Sequence, residues 1–193
     1  RIGSDMRVVS VLGDSTFFHT GINSLIEVLY NNSRTVNVIL DNRITGMTGH
    51  QENPGSGRHA DNSPAPAMDI EAICRALGAK NVVTIDPNDL KKVRETFNWA
   101  LALDEPSVII TRWPCALKKL IPEDKEEFVG VFEDKCVVDP EKCIACKLCL
   151  KCGCPALVFD KEANKMTIDR LQCVGCEVCA QICPKKAIAK EGK

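Results

Sequence analysis

No stretch of this 193-residue chain reaches eighteen consecutive apolar residues, so nothing in it reads as a membrane span. The first twenty residues contain Asp5, Arg7, Asp14 and His19, which leaves no apolar core for a secretory signal. Charge of one sign is also missing: the formal net charge is -1, which gives no grip on nucleic acid or on an acidic membrane. There is no G-x-G-x-x-G run of the kind that cradles a nicotinamide or flavin dinucleotide. What the chain has in abundance is cysteine, twelve in all, eight of them in two spaced runs.

The second run, Cys173, Cys176, Cys179 and Cys183, is Cys-x2-Cys-x2-Cys-x3-Cys-Pro. The first, Cys143, Cys146, Cys149 and Cys154, repeats it with one extra residue before Cys154-Pro155. Three thiolates at steps of three surround one cubane, and the fourth, directed away by its proline, reaches the other. This assigns two 4Fe–4S clusters. One is held by Cys143, Cys146, Cys149 and Cys183, and the other by Cys173, Cys176, Cys179 and Cys154. A zinc ribbon would show two separated Cys-x2-Cys pairs, and a disulfide framework needs an oxidising compartment. Cys152 crowds the first run and competes with Cys154 as a ligand, although Pro155 favours Cys154. Cys115 and Cys136 have no partners at motif spacing, and Cys74 reads as core packing. Residues 136–193 resemble the bacterial-type dicluster ferredoxins. Their ten Lys/Arg against seven Asp/Glu partly offset the cluster charge, while the remaining residues carry fifteen against nineteen.

Upstream the pattern alternates. Strands are expected over 8–12, 36–40, 82–85 and 107–111, with helices over 18–29, 69–77 and 87–103. Residues 44–67 hold seven Gly or Pro and read as a long loop, of the length that is usually functional. Such alternation predicts an α/β domain with a parallel sheet covered on both faces and ligands at the carboxyl ends of its strands. The expected organisation is a first domain over 1–118, a linker over 119–135 and a small α+β ferredoxin domain over 136–193. The chain begins with Arg1 and enters a strand almost at once, as the late part of a larger polypeptide would.

Gly13-Asp14-Ser15 ends the first strand, and Asp41-Asn42 ends the second. An acidic and an amide side chain at two strand ends, with a nearby carbonyl, make half a shell for Mg2+, and the helix that follows faces a diphosphate. The spacing resembles the thiamine diphosphate motif, Gly-Asp-Gly with Asn about thirty residues later, here with Ser15 as its third residue. Phe17-Phe18-His19-Thr20-Gly21 and the stretch from Ile44 to Pro54 extend the resemblance to the 2-oxoacid:ferredoxin oxidoreductases. Within them the order of modules is most similar to the large subunit of the indolepyruvate ferredoxin oxidoreductases.

That resemblance implies thiamine diphosphate as a cofactor beside the two clusters. Asp14 and Asn42 would ligate Mg2+ through side chains and Ile44 through its carbonyl. Gly13, Ser15 and Thr48 would lie near the diphosphate, and His19 near the substrate. The implied activity is oxidative decarboxylation of an aryl 2-oxoacid to an acyl-CoA, with electrons passing singly through the clusters to ferredoxin. Coenzyme A, ferredoxin and a smaller beta subunit are the implied partners, with no nucleic acid and no membrane. Twelve cysteines and oxygen-sensitive clusters point to the cytoplasm of an anaerobe. The alternatives are a relative with another 2-oxoacid substrate, or an electron-transfer protein whose first domain is an inert docking scaffold.

Overall fold

The computed structural model describes residues 6–191. The chain divides into two compact units, 1–119 and 120–193.

In the first unit, β1 (Val8–Gly13) leads into α1 (Asp14–Thr16), a π-helical turn (Phe17–Gly21) and α2 (Ile22–Tyr30). Then come β2 (Thr35–Asp41), α3 (Ile70–Ala76), β3 (Asn81–Ile85), α4 (Leu90–Ala102) and β4 (Ser107–Arg112). The four strands form one parallel sheet in the order β1-β2-β4-β3. One face packs Ile39, Val82, Val108 and Ile110 against Phe17, Leu25, Ile70 and Cys74. The other packs Val36, Val38, Ile85 and Ile109 against Ala100 and its neighbours on α4.

That second face corrects the expectation of a fully covered sheet, because Val9, Val11 and Leu40 are exposed. Strand axes lie about 4.8 Å apart and a helix is about 10–12 Å wide, so a single helix leaves part of a four-stranded face uncovered. Ile26 of α2 is likewise 45% exposed. The last helix starts at Leu90, not Pro87, because the Asp89 carboxylate accepts the Lys92 N–H and fixes the cap there. The preceding helix begins where its cap predicts, with Asp69 accepting from the Glu71 N–H.

The second unit holds α5 (Pro122–Glu127), β5 (Cys136–Val138), a 3₁₀ turn (Leu148–Cys152), β6 (Leu157–Asp160), β7 (Lys165–Ile168), α6 (Val178–Ile182) and β8 (Ile188–Lys190). Of the linker expected over 119–135, residues 120–135 group with this unit, and Asp124 caps α5 by accepting the Ile121 N–H. β5 pairs antiparallel with β8, and β6 with β7. The sequence repeat is a physical one. Asp139 donates its N–H to the Ala187 carbonyl at 2.7 Å, and Asp169 donates to Ala156 at 2.8 Å. Ala145 and Lys147 are left-handed in the first cysteine run, and Gly175 and Glu177, thirty residues later, are left-handed in the second.

Gly175 is the tightest of these positions. Its φ is +69°, and a Cβ there would lie 2.0 Å from the Asp134 carbonyl oxygen. Gly175→Ala should therefore combine left-handed strain of about 1–2 kcal/mol with a backbone clash. The expected result is loss of the iron expected at the second cysteine set with that expected at the first retained, read by iron analysis and by paramagnetic resonance of the reduced protein. Full retention of iron would show that the loop tolerates displacement.

Candidate functional site

The parallel pairing of β1 with β2 sets Gly13 opposite Leu40, so the residues following both strands emerge side by side. Asp14 is 2% exposed. Its Oδ1 accepts the Ser15 N–H at 2.7 Å, and its Oδ2 accepts from Asn53 Nδ2 at 3.2 Å. Burial is the largest influence on this carboxyl and pushes its pKa up. The Ser15 and Asn53 hydrogen bonds oppose that, the charge of Asp41 adds to it, and the Ile44 N–H opposes it again. Asn42 Oδ1 also accepts from the Ile44 N–H, at 3.1 Å. Asp14, Asn42 and Ile44 therefore meet at one point, with Gly13 and Ser15 on either side of the carboxylate.

Ser15 stands where the thiamine motif has glycine, but α1 holds it in ordinary right-handed helix, so no glycine is needed. His19 lies one turn on, in the π-helical segment, exposed, with Nδ1 donating to the Ser15 carbonyl at 2.6 Å. A carbonyl only accepts, so Nδ1 is the donor, and in the neutral ring Nε2 is the acceptor. Segments of π-helix often mark functional positions. Thr48 is exposed, and its hydroxyl donates to Gln51 Oε1 at 2.6 Å within the same loop. Among the described residues it makes no hydrogen bond to Asp14. His50 and His59 are exposed.

Sequence reasoning missed the support around these residues. Asn53 is buried, 39 residues from its carboxylate partner, in a turn closed by Ser56. Asp41, 3% exposed, pairs with Arg112 Nε at 2.8 Å and Arg43 Nε at 3.6 Å. The signal for Arg112 was its register, since it is the direct neighbour of Asp41 across β2 and β4. The chain leaving β4 closes the end of β2, with the Trp113 N–H on the Asp41 carbonyl and the Cys115 N–H on the Asn42 carbonyl.

The residues fit a divalent cation and its diphosphate. Asp41 has its arginines, whereas Asp14 has no cationic side chain within ion-pair distance among the described residues. A buried carboxylate raised by desolvation and lacking a counter-charge gains from a hard cation, and the Asn42 oxygen lies beside it.

In the second unit a small pocket, partly open to solvent, is lined by Cys143, Cys146, Cys149 and Cys183 with Ile144 and Lys147. Burial, and then the charges of Cys183, Cys146 and Cys143, push the Cys149 thiol up. Burial, and then Cys154, Cys136 and Cys173, do the same to Cys176. The two cysteine sets expected from spacing are thus each gathered in space, and Cys136 joins the second. Backbone N–H groups point at the sulfurs: Met166 at Cys143 (3.5 Å), Ala187 at Cys183 (3.3 Å) and Cys136 at Cys173 (3.3 Å). Such donors tune iron–sulfur potentials. Among the described residues no three His, Cys, Asp or Glu side chains are arranged around a lone ion. Cys74 is fully buried in the first unit, where burial pushes its thiol up to about 12.

Residues 2–111 match the thiamine pyrophosphate enzyme C-terminal TPP-binding domain, and residues 166–189 match the 4Fe-4S binding domain. Subunit IorA of indolepyruvate oxidoreductase from Pyrococcus horikoshii is 41% identical over 184 residues, covering 95% of this chain and 28% of that protein. The Methanothermobacter marburgensis subunit is 43% identical over 192 residues, covering 98% and 29%. The chain thus spans less than a third of the length of these relatives. Among solved structures, 2-oxoglutarate:ferredoxin oxidoreductase from Magnetococcus marinus aligns with a TM-score of 0.53 at 20% identity, over 61% of this chain and 44% of that one. That likeness is one of fold.

Proposed function

The chain belongs to the thiamine pyrophosphate enzymes, whose C-terminal TPP-binding domain it carries, and from that premise we propose that it is the carboxyl-terminal part of a 2-oxoacid:ferredoxin oxidoreductase acting on an aryl 2-oxoacid. The observation that carries this reading is the pairing, on one chain, of a buried, cation-free Asp14 at the end of β1 with two gathered sets of four cysteines.

Asp14 and Asn42 would hold Mg2+ through side-chain oxygens, and Ile44 through its carbonyl, so that the cation fixes the diphosphate. Gly13, Ser15 and Thr48 are the candidates to line the phosphates. Asn53 orients the Asp14 carboxylate and keeps it from turning away. His19, held by the Ser15 carbonyl, presents Nε2 outward as a candidate contact for substrate. Thiamine diphosphate, when bound, supplies a carbanion-stabilising centre at which the 2-oxoacid loses CO2.

Two 4Fe–4S clusters, when bound, would supply one-electron carriers for the two electrons of that oxidation. Cys143, Cys146, Cys149 and Cys183 would hold one cluster, and Cys173, Cys176, Cys179 and Cys154 the other. Ferredoxin is the proposed acceptor and coenzyme A takes the acyl group. A smaller subunit completes the enzyme. Among the described residues no helix is long and apolar enough to cross a membrane. The proposed compartment is the cytoplasm of an anaerobe, where thiolates persist.

The relatives' name, indolepyruvate oxidoreductase, supports the aryl choice. The test is ferredoxin reduction by the complete enzyme with indolepyruvate, phenylpyruvate, pyruvate and 2-oxoglutarate. The expected outcome is a kcat/KM at least about tenfold higher for the aryl acids, within the 10–200-fold that apolar pocket contacts supply. A preference for pyruvate or 2-oxoglutarate would refute the aryl assignment and leave the reaction class standing.

A further inference from the structure

Cys136 lies outside both spaced runs, yet it is 1% exposed and its backbone N–H donates to Cys173 Sγ at 3.3 Å. Its side chain packs in the same buried cluster as Cys173 and Cys179, two of the three cysteines that open the second set. The backbone fixes this placement. β5 aligns Cys136 with Lys190 of β8, and the Glu191 N–H bonds the Lys135 carbonyl at 2.9 Å. One residue earlier, the Asp134 carbonyl presses on Gly175, inside the Cys173–Cys176 turn. A buried cysteine is often only a small apolar residue. This one has its backbone on one proposed ligand sulfur and its side chain in the cluster that holds the others, and its single χ1 torsion gives the thiol three staggered positions. The fourth ligand proposed from sequence, Cys154, is by contrast half-buried and follows the left-handed Gly153 in the longer of the two cysteine gaps.

We propose that Cys136 is the reserve fourth ligand of the second 4Fe–4S cluster, able to bind the iron that Cys154 ordinarily holds. The inference rests on the reading of the second cysteine set as a cluster site. The exchange balances simply: one Fe–S bond to Cys154 breaks and one to Cys136 forms. The Cys136 thiol gives up its proton, the released Cys154 thiolate takes one up, and the cluster keeps its irons, its sulfides and its electron count. Cys152 packs against the same buried cluster, but among the described residues its backbone N–H makes no hydrogen bond to a sulfur of that set. It serves as the control.

The test uses the complete polypeptide, reconstituted anaerobically and assayed for iron, for sulfide and for paramagnetic resonance after dithionite reduction. Wild type, Cys154→Ala, Cys136→Ala and the double Cys154→Ala/Cys152→Ala should each hold about eight irons, four per cubane. The double Cys154→Ala/Cys136→Ala should fall to about four, with the first cluster's signal intact. Cys136→Val in place of alanine, which keeps apolar volume, should give the same loss. Should the double lose both clusters through misfolding, the single Cys154→Ala decides: retention supports the reserve ligand, loss overturns it. A double variant that keeps eight irons, or Cys136→Ala alone that drops to four, also overturns it. Wild type with fewer than two clusters would instead refute the underlying cluster assignment.

Discussion

Asp14→Ala is expected to abolish Mg2+-dependent thiamine diphosphate binding in the complete enzyme while leaving the iron–sulfur clusters in place. Asp14 is the one full negative charge among the proposed ligands, and it is buried with no competing cation. Outer-shell partners of a metal site typically change affinity about 10–100-fold. Loss of the ligand itself should exceed about a hundredfold, and loss of the orienting Asn53 should fall inside that range. Asn42→Ala removes a neutral ligand and should cost less than Asp14→Ala. Calorimetric titration with and without Mg2+ reads all three.

The same residue carries an opposite effect on stability. Burial raises the Asp14 pKa in the folded state above its ordinary value of 3.8. The charged form is therefore penalised by folding at pH values above the folded pKa, and the penalty vanishes as pH falls below the unfolded value. Cofactor-free Asp14→Asn should thus melt higher than wild type at neutral pH, with the gap closing on acidification and closing again when wild type binds Mg2+ and diphosphate. A neutral-pH melting point below that of wild type would show that the carboxylate stabilises the empty fold.

Removal of iron should unfold the second unit and spare the first. Of the ten buried residues at the core of residues 120–193, five are cysteines, and only Leu157, Met166 and Ile188 are large apolar side chains. A domain of this size with so little apolar core depends on its metal. The first unit has two apolar clusters on opposite faces of its sheet and no cysteine run. A chelator under reducing conditions should therefore bring amide exchange across β5, β6, β7 and β8 to unprotected rates, while β2 and β4 stay protected. Joint loss of protection in both units would mean that the first depends on the second. Retained protection in both would mean that the clusters are not structural.

Much of this was legible in the sequence because it rests on local chemistry. Asp69 and Gly78 bracket α3, and the two cysteine runs are contiguous enough for spacing to gather their sulfurs. Asp14 and Asn42 were readable as neighbours because parallel strands put their carboxyl ends together. What was hidden depends on the chain folding back. Asn53 reaches Asp14 from a loop whose path no periodicity describes. Cys136 reaches Cys173 across 37 residues through the pairing of β5 with β8. The bareness of Val9 and Val11 follows from the lateral reach of α4, which a pattern of apolar residues along one strand does not encode. The π-helical turn at Phe17–Gly21 was likewise invisible. Gly21 lies where a Cβ would meet Leu12 Cδ1 at 2.5 Å, so the helix packs tightly on β1 there.

The most direct test of the central claim is to mix the complete, thiamine diphosphate-loaded enzyme with its 2-oxoacid, anaerobically and without ferredoxin, and to follow the visible iron–sulfur absorption. Bleaching should appear within a turnover in wild type and be absent in Asp14→Ala, while dithionite bleaches both. Bleaching by the 2-oxoacid in Asp14→Ala, or none in wild type that dithionite still reduces, would contradict the account.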